Sequence, residues 1–194
     1  MTQTQPESPR VIPRDAWPLH PNWPAQVLLV QSHANFRMVS DRLKDAVRQA
    51  GSLHGASRLF RRWMHAMSSH EHYEESKLYP YLDRRWGVSM HALVEGHEGL
   101  HSQRREVIAA FDAVLSLRDH DARDAMAAPA VVGARDRVRA AVDGFDELLL
   151  AHLDLEEQTV VPLLLELSPT EFADYSLLPL HQLLAALDRA EDGL

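Results

Sequence analysis

Cysteine is absent from all 194 residues. That excludes disulfides, thiolate nucleophiles, iron–sulfur ligation and cysteine-based zinc sites, so any bound metal must be held by His, Asp or Glu. No block of five or six basic residues occurs, and acids outnumber bases 28 to 20 for a formal charge of −8. The electrostatic footprint of a nucleic-acid or anionic-membrane partner is therefore missing, and neither partner is expected. No run of about 18 apolar residues is present, and the N-terminus lacks the apolar stretch of a signal peptide. These absences predict a cytoplasmic protein. No segment alternates apolar and polar residues with period two, so strands are not expected.

What remains is an ordinary globular composition, 45% apolar and 25% charged, at a length suited to one domain. Histidine is the exception, with 12 positions. That loading directs attention to imidazole ligands at helical spacing.

Four apolar stripes recur at the 3.6-residue period. The first runs Leu29, His33, Phe36, Leu43 and Val47 up to Gly51. The second starts near Gly55 and runs Leu59, Trp63, Met67, His70, Glu74, Leu78 and Tyr81, stopping near Pro80 and Gly87. The third runs Met90, Leu93, His97, Leu100, Ile108, Phe111 and Leu115, fading in the polar stretch 118–124 before Pro129 and Gly133. The fourth is Val138, Val142, Phe145, Leu149, His152, Glu156, Val160 and Leu163, after which Ser168, Pro169 and Glu171 read as a capping box opening a shorter helix. Six of the eleven prolines fall in residues 1–24, too many lost N–H donors for a helix, and Trp17 and Trp23 could pin that arm to a surface. The expected fold is all-α: an up-down-up-down four-helix bundle over 25–166, an extended Pro-rich arm over 1–24 and a short C-terminal helix over 167–194.

Each stripe carries a His, and two also carry a Glu, where a plain core would place Leu. Burying these groups unsatisfied would cost roughly 1–3 kcal/mol apiece, and a metal is the obvious partner. Residues 70–82 read HEHYEESKLYPYL and 152–164 read HLDLEEQTVVPLL, sharing His, Glu, Glu, Pro and Leu at equal offsets. They read as two copies of one structural unit, with each proline expected to end or kink its helix just beyond the ligands. His and Glu four apart share a helix face and can reach the same or adjacent ions. Chance predicts about one such pair in this composition, under the same helical-neighbour rule. A further pair, His91 and Glu95, lies off the stripe and reads as a solvated surface pair.

His33 and His97 complete a set drawn from all four helices. His101, one turn after His97, is in phase and is either a fifth imidazole ligand or a satisfied rim histidine. Glu75 and Glu157 each follow a candidate ligand by one position and read as outer-shell or surface groups. His72 cannot share the face of His70, and His20, His54, His65, His120 and His181 show no partner pattern. Trp63 and Met67 could line a ligand pocket, but as stripe residues they read first as core.

In this order of residues the chain resembles the hemerythrin-like, or HHE cation-binding, family, over about residues 25–165. The resemblance implies metal ligation by His33, His70, Glu74, His97, His152 and Glu156, with His101 matching a second histidine found in some members, including oxygen carriers. It further implies two non-haem iron ions bridged by the two carboxylates, and dioxygen, peroxide or a diatomic such as nitric oxide as the small ligand. Family roles include oxygen or iron sensing, storage or carriage, peroxide handling, and nitric oxide or iron–sulfur repair. Repair-type members carry an N-terminal cysteine module, which this chain lacks.

Ligand chemistry agrees with the resemblance. Imidazole and carboxylate suit iron, manganese or zinc, and two bridging carboxylates fit ions about 3.5–4 Å apart. Only two carboxylates against four or five imidazoles make the site less anionic than a ferritin-like one, which favours reversible ligand binding over oxidation of strong C–H bonds. The rival is HEGLH at 97–101, an H-E-x-x-H match to zinc peptidases. The longer form of that motif needs Gly at 103 and His at 107, where Gln103 and Val107 stand. A helical interaction module with incidental histidines is the third possibility.

Overall fold

The computed structural model describes residues 12–49, 53–120 and 128–192, and no strand occurs among them. The first stripe forms α1 (Leu28–Arg48), which buries His33, Phe36, Ser40, Leu43 and Val47. The second forms α2 (His54–Tyr73), a π-turn (Glu74–Leu78) and α3 (Tyr79–Trp86). Gly87 closes α3 at φ 65°, the left-handed conformation in which glycine avoids a Cβ penalty. Then follow α4 (His91–His120), α5 (Ala128–Leu165), α6 (Pro169–Leu177) and α7 (Leu180–Asp192). The protein is an all-α bundle.

Several boundaries differ from the periodicity reading. The fourth helix begins at Ala128, well before the first stripe residue Val138, and Pro129 falls in its first turn, where a missing N–H costs nothing. Neither proline stops its helix at once: α5 runs through Pro162 to Leu165, and Pro80 sits in the first turn of α3. The equal offsets of the two motifs therefore hide different backbones, one holding a π-turn and the other regular α-helix. The capping box forms as expected, with Glu171 N–H donating to Ser168 Oγ at 3.2 Å and Ser168 N–H donating to Glu171 Oε2 at 2.9 Å. Two C-terminal helices follow it rather than one. Gly51 and residues 121–124 of the polar stretch lie outside the described residues.

The chain divides into two compact units. One comprises His33–Ser69 and Glu95–His152. Its centre is an aromatic cluster in which Phe145 meets Phe60 at 5.3 Å and Trp63 at 5.6 Å, both edge-on. Edge-to-face packing adds roughly 0.5–1.5 kcal/mol per pair beyond burial. A polar tie runs through the same unit, where Ser40 Oγ and Lys44 Nζ donate to the Asp146 carboxylate at 2.6 and 2.7 Å. That carboxylate holds the Lys44 ammonium above its ordinary value.

The other unit comprises Met1–Ser32, His70–Val94 and Leu153–Leu194. Within the arm, Arg14–Leu19 is a 3-10 helix, a form short enough to tolerate Pro18. Trp17 is buried, stacks on Trp23 at 6.4 Å and donates its indole N–H to the Ile12 carbonyl at 2.9 Å. Asn22 then donates to the carbonyls of Leu165 and Leu167 at 2.8 and 3.1 Å. The Leu165 carbonyl is an orphan acceptor at the end of α5 and Leu167 lies just beyond it, so the arm caps the helix that carries the second motif.

Candidate metal centre

His70 and Glu74 lie one helical turn apart, with His70 Nε2 2.7 Å from Glu74 Oε1. Glu74 opens the π-turn, and Tyr79 N–H donates to the Glu74 carbonyl, an i→i−5 bond. In an α-helix a residue five positions on would point about 140° away. The wider turn brings Tyr79 under Glu74, and its hydroxyl donates to Glu156 Oε1 at 2.9 Å. Each of His33, His70, Glu74 and Glu156 offers one ligand atom, and the four atoms lie within 4.8 Å of one another. His33, Glu74 and Glu156 are at most 1% exposed, whereas the His70 side chain keeps 17%.

Burial pushes the Glu74 carboxyl far above the usual carboxylate range, and the adjacent Glu156 charge pushes it further. Burial, and then the same two carboxylates, raise the Tyr79 hydroxyl. Two buried carboxylates side by side resist double ionisation unless a cation offsets them, and a bound cation inverts that logic. Two imidazole nitrogens and two carboxylate oxygens are a donor set suited to iron, manganese or zinc. The residues present fit a metal ion.

A second pair of imidazoles belongs to the unit built around the aromatic cluster. His97 on α4 and His152 on α5 are both buried, with ring centroids 4.6 Å apart. Their approach depends on Gly96, because a Cβ there would overlap His152 Nδ1 and stand 3.2 Å from its Cε1. His101 is half-buried and lies outside the four-residue cluster. Glu98, the base required by the peptidase reading, is exposed, as are His91 and Glu95. His54, His65, His72 and His181 are exposed as well, His20 is half-buried, and the His120 side chain is outside the described residues. Trp63 and Met67 are buried as core.

Two residues that shape the centre escape the motif reading, and Glu157, read as an outer-shell or surface group, proves to be buried. Tyr79 is hidden because spacing rules assume α-helix throughout. Gly96 carries only a faint signal, a glycine in a helix interior beside a candidate ligand. Glu157 is legible in principle, since it stands four residues from both Leu153 and Val161 and so shares their buried phase. Glu75 is exposed, whereas Glu157 is 1% exposed and pairs with Arg14 of the 3-10 helix, which also reaches Asp154 at 3.1 Å. Replacing Arg14 with Ala is expected to remove this ion pair from the buried Glu157 carboxylate. Because the arginine is itself half-exposed, the cost should be about 1–2 kcal/mol, read as a melting point a few degrees lower with metal content unchanged. An unaltered melting point would show that the pair contributes nothing.

No described helix is long and apolar enough to cross a membrane. No curated protein and no solved structure matches the chain. The sequence matches the Hemerythrin HHE cation binding domain over residues 26–164. With this match over most of the chain, and the cluster of His33, His70, Glu74 and Glu156 able to hold an ion, the chain belongs to the hemerythrin HHE cation-binding family.

Proposed function

We propose that this protein holds two non-haem iron ions and reversibly binds dioxygen or a related small ligand. The observation that carries the reading is the convergence of His33, His70, Glu74 and Glu156 on one ion-sized space. His97 and His152, with His101 one turn further along α4, supply the imidazoles for the second ion. Iron would supply the redox electrons and the open position at which a diatomic ligand binds.

The chain's own groups suit a binding rather than an oxidising role. Two carboxylates against as many as five imidazoles leave the centre weakly anionic. Tyr79 holds Glu156 by a hydrogen bond, so that carboxylate is oriented before any ion arrives. Burial of Glu74 and Glu156 keeps bulk water from competing for the metal.

Elemental analysis after anaerobic loading with ferrous iron and desalting tests this directly. Wild type should retain about two irons per chain, the stoichiometry of a carboxylate-bridged pair. His70→Leu and His152→Leu should each lose metal. Oxygen should then produce a visible absorption that disappears on deoxygenation. One zinc ion indifferent to both substitutions, or no metal at all, would sink the proposal.

A further inference from the structure

Beside the ligand cluster lies a cavity of about 370 Å³. A diatomic molecule needs little more room than the roughly 30 Å³ of a liquid water, whereas small organic ligands occupy pockets from about 300 Å³ upward. The cavity is therefore an order of magnitude too large for the small ligand alone. It touches the cluster at His70 and Glu74, and His70 is the only cluster residue that is not fully buried. The cavity is thus a route by which the cluster meets the outside.

Its walls divide by chemistry. Leu29, Leu78, Leu164 and Phe172 form an apolar side, and Leu28, 65% exposed, stands at the mouth. The polar side is hydroxyl-rich, with Tyr73, Tyr175, Ser32 and Ser176. Among the described residues no lysine or arginine lines it, and the nearby Lys77 ammonium is engaged over the Tyr175 ring at 5.0 Å, so the wall itself offers a phosphate or a free carboxylate no permanent charge.

One wall is built from outside the family domain. Phe172, Tyr175 and Ser176 belong to α6, beyond residue 164, where the family match ends. That helix is fixed in place by its capping box, by Arg85 donating to Glu171 at 3.0 Å and by stacking of Tyr175 on Tyr81 at 5.1 Å. Tyr175 also shares a hydroxyl–hydroxyl hydrogen bond with Tyr73 at the cavity wall. A segment added to the domain has been anchored where it encloses the approach to the cluster.

We propose that this cavity binds a compact, uncharged organic molecule bearing a single hydroxyl group. Its ring or chain lies on the apolar side, and its hydroxyl faces the tyrosine hydroxyls and the ligand cluster. The inference deepens the metal-centre reading, since it assigns the molecule that shares the site with the small ligand, but the cavity itself exists without the ion.

Phenol is the probe, with binding to the full metal-free chain followed by ligand-detected NMR. Saturable binding with a Kd at or below about 1 mM is expected. Leu29→Trp, which fills the cavity, and Tyr175→Phe, which removes one hydroxyl, should each weaken binding, the former about tenfold or more. Benzoate, of similar size but charged, should bind more weakly than phenol. Absence of saturable binding, affinity unchanged in Leu29→Trp, or benzoate binding as well as phenol would each overturn the assignment. If Leu29→Trp does not fold by circular dichroism, Phe172→Trp replaces it. Iron uptake by separately loaded samples of the same variants separates the two readings: normal iron uptake without phenol binding overturns the cavity assignment alone, and phenol binding without iron uptake overturns the metal centre alone.

Discussion

Stripped of metal at pH 8, the Glu74→Gln protein should melt above wild type, while near pH 4.5 the two should melt together. The cause is the proton that the folded chain keeps on Glu74, because burial and the neighbouring Glu156 raise that carboxyl above its ordinary 4.5. Below that value both the folded and unfolded chains are protonated there, and the group favours neither. As pH rises past it, the unfolded chain releases the proton and the folded chain retains it, so wild-type stability falls with pH until the folded group also ionises. Glutamine cannot ionise and escapes the loss. Each unit of retained pKa difference corresponds to about 1.4 kcal/mol, or roughly 3–5 °C in a domain of this size, so a gap of several degrees is expected. Saturating ferrous iron should reverse the order, because the ion takes the place of the proton and a neutral side-chain amide is a poorer ligand than a carboxylate. Melting curves from pH 4.5 to 8, with chelator and with metal, give both signs. A gap independent of pH would mean that Glu74 ionises freely in the fold.

Gly96→Ala and Gly99→Ala should act in opposite directions, although both exchange a helix-interior glycine for the best helix former. Propensity alone favours alanine by about 1 kcal/mol at either position. At Gly99 a Cβ meets nothing within 4 Å, so that gain should appear as a higher melting point. At Gly96 the Cβ would overlap the His152 imidazole, and relieving the clash in a packed interior costs about 1–3 kcal/mol. The displaced imidazole is also a proposed ligand, so Gly96→Ala should lose iron that Gly99→Ala retains. Thermal melts and iron content of the two variants, each against wild type, decide the matter. Equal metal content in both would remove His152 from the ligand set.

The legible part of this protein is the part written in 3.6-residue periodicity. Leu43, Trp63, Phe111, Phe145 and Val160 are all buried where the stripes place them, and ligand atoms of His33, His70, Glu74 and Glu156 lie within 4.8 Å of one another, while His97, His101 and His152 stand outside that cluster. The capping box at Ser168 is legible because its chemistry is local to four residues. What escapes depends on partners distant in sequence or on backbone that leaves the α pattern. The Arg14–Glu157 pair spans 143 positions, and Ser40 reaches Asp146 across 106. No spacing rule contains those distances. The arm is not wholly extended, because proline content argues against an α-helix but not against a single 3-10 helix closed by Trp17.

The π-turn at Glu74–Leu78 also changes how the two His–Glu motifs should be aligned. Such a turn behaves as one inserted residue in an otherwise α-helical path, so that everything after it lags by about 100° of rotation. His70 and Glu74 therefore superimpose on His152 and Glu156 by simple counting, but Tyr79 falls into the place of Val160 rather than Val161, and Pro80 into that of Val161 rather than Pro162. The matching prolines are equal in number and unequal in space. Only the His–Glu halves of the two copies are true structural counterparts, and any ancestral unit inferred from the full thirteen-letter match must carry a gap in the second copy.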